Sequence, residues 1–341
     1  MTVPGRSKPP DGRKADHLRI AAGPDVAHHG RTGLDAVRLR HRALPERDLE
    51  AVSLTTRLLG RRLEAPLIVS AMTGGTPQAA IINARLAQAA ARQGIGLVLG
   101  SGRRLIDDPE LLGTYVPAAG ELRPPLLLGN LGAAQIRGRE GAWAAEKLVE
   151  LLDADGLSIH LNPIQEAVQP EGEPHFAGVL DGIAAAVARI APRPVVVKEV
   201  GFGLDMEDVA ALHAVGVAAI DVAGSGGTNW ALVEGRRDAR AGAVAAAFAD
   251  WGVPTADAIT EARSVAAGLP LIASGGLRDG VDVARCLALG ATAAGMARLF
   301  LLAAQADRAD EAIVTVVDQL RIATWATGAE SAQDLGRRHL R

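Results

Sequence analysis

Eight short apolar runs punctuate the chain, at 67–72, 96–101, 126–131, 157–161, 195–200, 219–223, 271–274 and 293–297. Each ends in small or polar residues and leads into an Ala-rich stretch with helical spacing. The runs are continuously apolar instead of alternating. A strand with one wet face alternates, so these runs read as strands buried on both faces, in a parallel sheet covered by helices. Parallel neighbours need a crossover connection, and the Ala-rich stretches supply it. Eight such units in a row predict a closed (β/α)8 TIM barrel, an α/β fold.

The barrel and a C-terminal helix then take residues 66–341. Residues 13–65 remain as an N-terminal cap, whose mixed pattern over 39–63 suggests an edge hairpin. Residues 1–12, with three prolines and few apolar groups, read as a disordered leader. Arg13-Lys14-Ala15-Asp16-His17 opens a short helical stretch, and alone it reads as a solvated charged face. Aromatics are only 3% of the chain, so Ala, Val, Leu and Ile must fill the core, and the four Trp and one Tyr stand out. A formal net charge of −3 gives no reason to expect nucleic acid or an anionic membrane as partner. The single cysteine, Cys286, excludes an internal disulfide and a thiolate metal cage, and reads as an inert packing residue. No signal peptide or uninterrupted apolar run of spanning length is evident, so the expected location is cytoplasmic.

Barrels of this kind work at the carboxyl ends of their strands. Here those ends read Met72-Thr73-Gly74-Gly75, Gly100-Ser101-Gly102-Arg103, Gly129-Asn130, Lys198-Glu199-Val200-Gly201, Gly226-Gly227-Thr228-Asn229-Trp230, Gly275-Gly276-Leu277-Arg278 and Met296-Ala297-Arg298. Glycine lets backbone amides approach a ligand, and amides opening a helix favour a phosphate. One Gly-Gly pair could be a tight turn and nothing more. Gly275-Gly276 after strand seven and Ala297-Arg298 after strand eight, preceded by Gly226-Gly227, favour a phosphate cradle. A buried Lys198 amid Asn and Thr suits a large heteroaromatic cofactor, since a cation beside a flavin ring stabilises its anionic reduced form. After strand four, His160-Leu161-Asn162-Pro163-Ile164-Gln165-Glu166 packs an imidazole, two amides and a carboxylate into one connection, more polar chemistry than a turn needs.

The ordered set of Met72-Thr73-Gly74-Gly75, His-x-Asn-x-x-Gln-Glu at 160–166 with its Pro170-Glu171-Gly172 tail, Val197-Lys198-Glu199-Val200-Gly201, and Gly226-Gly227-Thr228-x-Trp230 resembles the type 2 isopentenyl-diphosphate isomerases. The resemblance runs from Arg13 to about Leu301. It implies an FMN-dependent barrel that interconverts isopentenyl and dimethylallyl diphosphate without net redox change, using reduced flavin, Mg²⁺ and usually NADPH as reductant. It implies FMN contacts at Ala71, Met72, Thr73, Ser101, Asn130, Lys198, Thr228, Gly276, Leu277, Arg278, Ala297 and Arg298. Substrate would meet Arg13, Lys14, His17, Ser101, Arg103, His160, Asn162 and Gln165. Glu166 would hold Mg²⁺. Gln165, Trp230, Glu234 and His160 would surround the reacting end, and the enzyme would be a homotetramer or homo-octamer. Two positions depart from the family pattern: Gly102 stands where Gln is usual, and Ala223 where Ser is frequent.

The residues themselves leave alternatives open. Glu166 could be a solvated loop acid and His160 a core histidine. Gln165 is a poor acid, so it reads as an orienting group. Glu234 falls at a helix start, where a carboxylate is stabilising in any case. Trp230 in so aromatic-poor a chain reads as a wall over an allylic cation. Arg13, Lys14 and His17 can reach the site only if their segment folds over this mouth or a neighbour's, ordering when substrate binds. Rival readings are another FMN barrel, such as a 2-hydroxy-acid oxidase, and a non-catalytic flavin- or phosphate-binding module. An IMP-dehydrogenase-like enzyme would need a cysteine after strand six, and 225–230 has none.

Overall fold

The computed structural model describes residues 10–116 and 123–341. All eight apolar runs form strands: β3 (Leu67–Val69), β4 (Gly96–Val98), β5 (Leu126–Gly132), β6 (Gly156–Leu161), β7 (Val195–Glu199), β8 (Ala219–Asp221), β9 (Leu271–Ala273) and β10 (Ala293–Met296), after a hairpin of β1 (Thr56–Leu58) and β2 (Arg61–Leu63). The eight close into a barrel of parallel neighbours, β10 pairing with β3. Most strands are shorter than the apolar runs. The ladder stops at Val69, Val98 and Asp221, and the residues beyond become loops over the barrel mouth.

Side chains alternate between two environments. Ile159, Val197 and Ile220 point outward into the helical layer and join the main core. Their neighbours point inward. At the lower end the inward set is apolar: Ile68, Val98, Leu126, Leu128, Val196, Ala219, Ile272 and Ala293 pack with Leu58 and Leu63 of the hairpin. The expected edge hairpin is therefore a plug for the amino end of the barrel. Its turn, Leu59-Gly60, has φ of 51° and 78°, the two positive angles that a tight hairpin with native twist requires.

The cap is tied to the chain's far end. Leu39 bridges Leu340 and Ser53 bridges Ser331, while Trp325 in the helix Ala309–Ala326 donates to the Arg47 carbonyl at 2.6 Å. Cys286 is fully buried in the helix Gly280–Leu289, and burial raises its thiol well above the ordinary range, as suits a packing residue.

The first helix runs Pro10–Ala22. Residues 1–9 of the expected leader lie outside the described residues, but 10–12 form the helix's opening turn. Proline fits there because its missing N–H would have no helical partner anyway. The helix crosses the carboxyl rim of the barrel. Its Leu18, Ile20 and Ala21 are buried, and Arg298 donates to the carbonyls of Ala21, Ala22 and Gly23 at 3.0–3.2 Å. Those carbonyls are the ones a helix end leaves without partners, and a cation there also suits the helix dipole.

Candidate active site

A cavity of about 690 Å³ opens at the carboxyl rim. Ala71, Met72, Thr73, Ser101, Arg103, Asn130, His160, Asn162, Gln165, Glu166, Lys198, Thr228, Trp230, Gly276, Leu277, Arg278, Ala297 and Arg298 line it, joined by Arg13, Lys14 and His17 from the first helix. Of the residues expected at the site, Glu234 alone is not in the lining; it lies buried behind Gln165.

The floor is set by strand register. His160 of β6 lies beside Lys198 of β7, which lies beside Asp221 of β8. His160 Nδ1 is 3.0 Å from Asn130 Oδ1. With that oxygen as acceptor, the ring proton sits on Nδ1 and Nε2 carries the lone pair. Burial, reinforced by the Lys198 charge, pulls the His160 pKa down to about 3, so the imidazole is neutral near pH 7. Asp221 accepts from Ser274 Oγ at 2.6 Å and from the Ala223 backbone at 3.2 Å; burial raises its pKa and Lys198 pulls it back. Glu199, on the outer side of β7, uses one oxygen to gather the backbone N–H groups of Val200, Gly201, Phe202 and Gly203. Burial still pushes this carboxyl up to about 7. The contacts fix the loop that follows Lys198.

One side of the mouth is a backbone cradle. A Cβ on Gly227 would stand 2.5 Å from the Gly276 nitrogen, and one on Gly226 would stand 2.4 Å from the Thr32 nitrogen. Only glycine lets these three loops meet so closely. The helix Arg298–Gln305 starts at the same edge, a geometry suited to phosphate. The arginines there face elsewhere. Arg278 pairs with Asp282 and Asp35 at 2.9 and 2.6 Å, and Arg298 caps the first helix. The loops bring backbone amides to this edge, while Arg278 and Arg298 line the cavity with their guanidinium groups held in these pairs. A cradle that admits no Cβ, beside a cavity with Asn130, Lys198 and Thr73, fits FMN.

The opposite side is cationic. Lys14 Nζ donates to the Gly74 carbonyl at 2.5 Å and the Ser101 carbonyl at 3.3 Å, and lies 3.1 Å from the Tyr115 hydroxyl. Burial, then the charges of Arg104 and Arg13, lower its pKa to about 7. Arg103 pairs with Glu173 at 3.1 Å. Glu166 accepts from Asn162 Nδ2 at 3.0 Å and from the Glu173 backbone at 2.8 Å. Among the described residues no three His, Cys, Asp or Glu side chains converge on a metal-sized gap.

Gln165 joins the two halves of the site. Its Nε2 donates to Glu234 Oε1 at 2.8 Å and its Oε1 accepts from Asn162 at 3.1 Å. Trp230 lies edge-on to His17, ring centres 5.5 Å apart. Glu234 is not at a helix start as expected: the helix Trp230–Gly235 is only six residues long and leaves Glu234 next to last. Any stabilisation from an amino-terminal dipole is absent, and side-chain donors take its place. The departure at position 102 also has a local cause, since a Cβ there would meet Leu148 Cδ1 at 2.4 Å.

Comparison with known proteins settles the family. The profile of FMN-dependent dehydrogenases matches residues 14–105 and 175–341. An isopentenyl-diphosphate delta-isomerase of Xanthobacter autotrophicus is 50% identical over 329 residues, covering 95% of this chain and 96% of its own. The chain belongs to the isopentenyl-diphosphate delta-isomerase family. A second relative of that name, from Stutzerimonas stutzeri, is 47% identical, with 93% of each chain covered. A third, from Methanothermobacter thermautotrophicus, is 42% identical over 95% of this chain and 90% of its own. Solved structures share the fold at lower identity. A flavocytochrome b2 variant with pyruvate bound has a TM-score of 0.68 at 18% identity, covering 96% of this chain and 82% of that one. A mandelate oxidase variant with an FMN adduct has a TM-score of 0.63 at 20% identity, covering 96% and 91%.

Several residues around this isomerase-family site carried no signal that sequence reasoning used. Tyr115 is fully buried against Gly74, where a Cβ would stand 2.0 Å from its ring. In the sequence it stands out only as the single tyrosine. Gln169, with its amide nitrogen turned to Glu234 at 3.1 Å, accepts from Arg13 at 3.2 Å. Arg237, three residues beyond Glu234, looks in the sequence like half of an ordinary surface ion pair.

Proposed function

We propose that this protein isomerises isopentenyl diphosphate to dimethylallyl diphosphate, with FMN held in the barrel mouth. The observation that carries the reading is one cavity bringing a phosphate cradle and the buried Lys198 opposite a second, cationic end with Glu166 beside it. Two anionic groups of different size have a place there.

Gly276, Leu277, Arg278, Ala297, Arg298 and Thr228 would hold the FMN phosphate, chiefly through backbone amides. Ala71, Met72, Thr73, Ser101 and Asn130 would line its ring and chain, with Lys198 supplying a cation beneath. Bound in its reduced form, FMN supplies a ring acid–base group that can protonate an alkene and take back a proton with no net oxidation. NADPH is the proposed source of that reduction.

The chain's own residues handle position and charge. Arg13, Lys14 and Arg103 meet the diphosphate, with His17 and Ser101 at the edge. Glu166, facing this end with both oxygens already oriented, would offer one ligand to Mg²⁺, which usually keeps waters and takes its other ligands from phosphate. His160, neutral and turned by Asn130, offers a lone pair and no charge. Gln165, held at both ends, orients the hydrocarbon, and Trp230 walls it off from water. Glu234 acts behind Gln165. The active form is proposed to be a cytoplasmic homotetramer or homo-octamer; no helix among the described residues is long and apolar enough to cross a membrane.

The test is an anaerobic assay with dithionite-reduced FMN, Mg²⁺ and isopentenyl diphosphate. Dimethylallyl diphosphate should form, and oxidising the flavin should stop it. An FMN-loaded, fully reduced preparation that leaves isopentenyl diphosphate unchanged overturns the reading.

A further inference from the structure

We propose that Arg237 is a positioning residue, holding Glu234 as a carboxylate behind the site and thereby fixing which way the Gln165 amide faces. Glu234 is fully buried. Its Oε2 accepts from Arg237 Nη1 at 2.6 Å, and its Oε1 accepts from Gln165 Nε2 at 2.8 Å. His17 Nε2 stands 2.9 Å from Oε1, within ion-pair distance. The Arg237 side chain is 7% exposed, and its other arm reaches Glu171 at 2.5 Å.

Neutral amides alone would leave a buried carboxylate poorly supported, because burial disfavours the charged form. Burial does push the Glu234 pKa upward, yet His17, Gln165 and Arg237 together hold it below the ordinary carboxylate range. Of these donors, Arg237 alone carries a permanent charge. The remaining charged groups around the pair are Glu171 on the far arm of Arg237, Arg13 through Gln169, and Glu166 through Asn162.

The orientation follows from the charge. An ionised Glu234 only accepts, so Gln165 must present its nitrogen to it and its oxygen to Asn162. A protonated Glu234 would offer a hydrogen of its own, and the amide could then turn over. Arg237 thus acts two side chains away from the substrate without touching it. The proposal uses the isomerase reading only in taking Gln165 to face the reacting carbons.

The experiment is Arg237→Gln, read in two ways. In kinetics, the acidic limb of kcat should move upward by about one to three pH units, with FMN content unchanged. In difference infrared spectra of the FMN-loaded protein, acidification from neutral pH should reveal a protonated-carboxyl band missing from the wild type and lost again in Arg237→Gln/Glu234→Gln. The infrared readout holds whatever the substrate is, so its failure is separable from failure of the isomerase reading. A uniform fall in kcat and Tm with the limb and spectra unmoved would make Arg237 a structural brace and overturn the proposal. If Arg237→Gln does not fold, Glu171→Gln decides. It leaves the whole guanidinium charge to Glu234, so the acidic limb should move down; an unmoved or rising limb overturns the proposal.

Discussion

Glu166 has each carboxylate oxygen aimed by a single donor, Asn162 on one and the Glu173 backbone on the other. An acid so fixed is pre-set to bind a cation at small entropic cost. Glu166→Gln should retain FMN and lower apparent Mg²⁺ affinity on the order of 100-fold or more, seen by titrating Mg²⁺ against turnover; wild-type Mg²⁺ dependence in that variant removes the assignment. Lys14 predicts a pH effect. With its pKa near 7, its amine is charged below that pH and largely neutral above it. A diphosphate needs the charged form, so KM for isopentenyl diphosphate should climb as pH rises past 7. Lys14→Arg, whose charge does not titrate there, should flatten the climb. The place of Glu166 in the cavity lining was legible in the chain because it sits in the 160–166 motif, and that of Lys14 only through the family resemblance, its own segment reading as a solvated face. Arg237 and Tyr115 were not, since their roles come from burial and from partners 66 and 14 positions away.

Helices and loops carry the next predictions. In the free protein, docking of Pro10–Ala22 takes the Lys14 amine out of water. The undocked lysine, with an ordinary pKa of 10.5, binds its proton more readily than the docked one, at about 7. Between those values docking is therefore favoured as pH rises. Tryptic cleavage within 13–19, measured without substrate, should slow across that range and gain no such protection in Lys14→Met. The cradle is equally specific. In Gly227→Ala the new methyl meets the Gly276 backbone, and FMN affinity should fall about 10- to 100-fold, as fluorescence titration would show. Unchanged affinity would place the phosphate elsewhere. Eight strands were readable because buried parallel strands are continuously apolar. The directions of Arg278 and Arg298 were not, since beyond the local Asp282 pair of Arg278 both guanidinium groups reach groups distant in sequence, Asp35 and the end of the first helix. A helix near Glu234 was expected, but its early end at Gly235 was not legible, six residues being too few to show a period.

For the molecule as a whole, the β1–β2 hairpin decides what kind of container the barrel is. Leu58 and Leu63 are buried to within 1% of full burial and belong to the barrel's inner cluster. Leu58→Ala should cost about 2–5 kcal/mol, read by denaturant unfolding, because the plug cannot collapse to fill the gap. Its FMN affinity should stay near wild type, the cradle being at the other end. A stopper at the base also imposes a traffic rule. With the base stoppered, the proposed reductant and the proposed prenyl diphosphate would both use the mouth at the carboxyl rim, and each should then act as a competitor of the other in initial-rate kinetics.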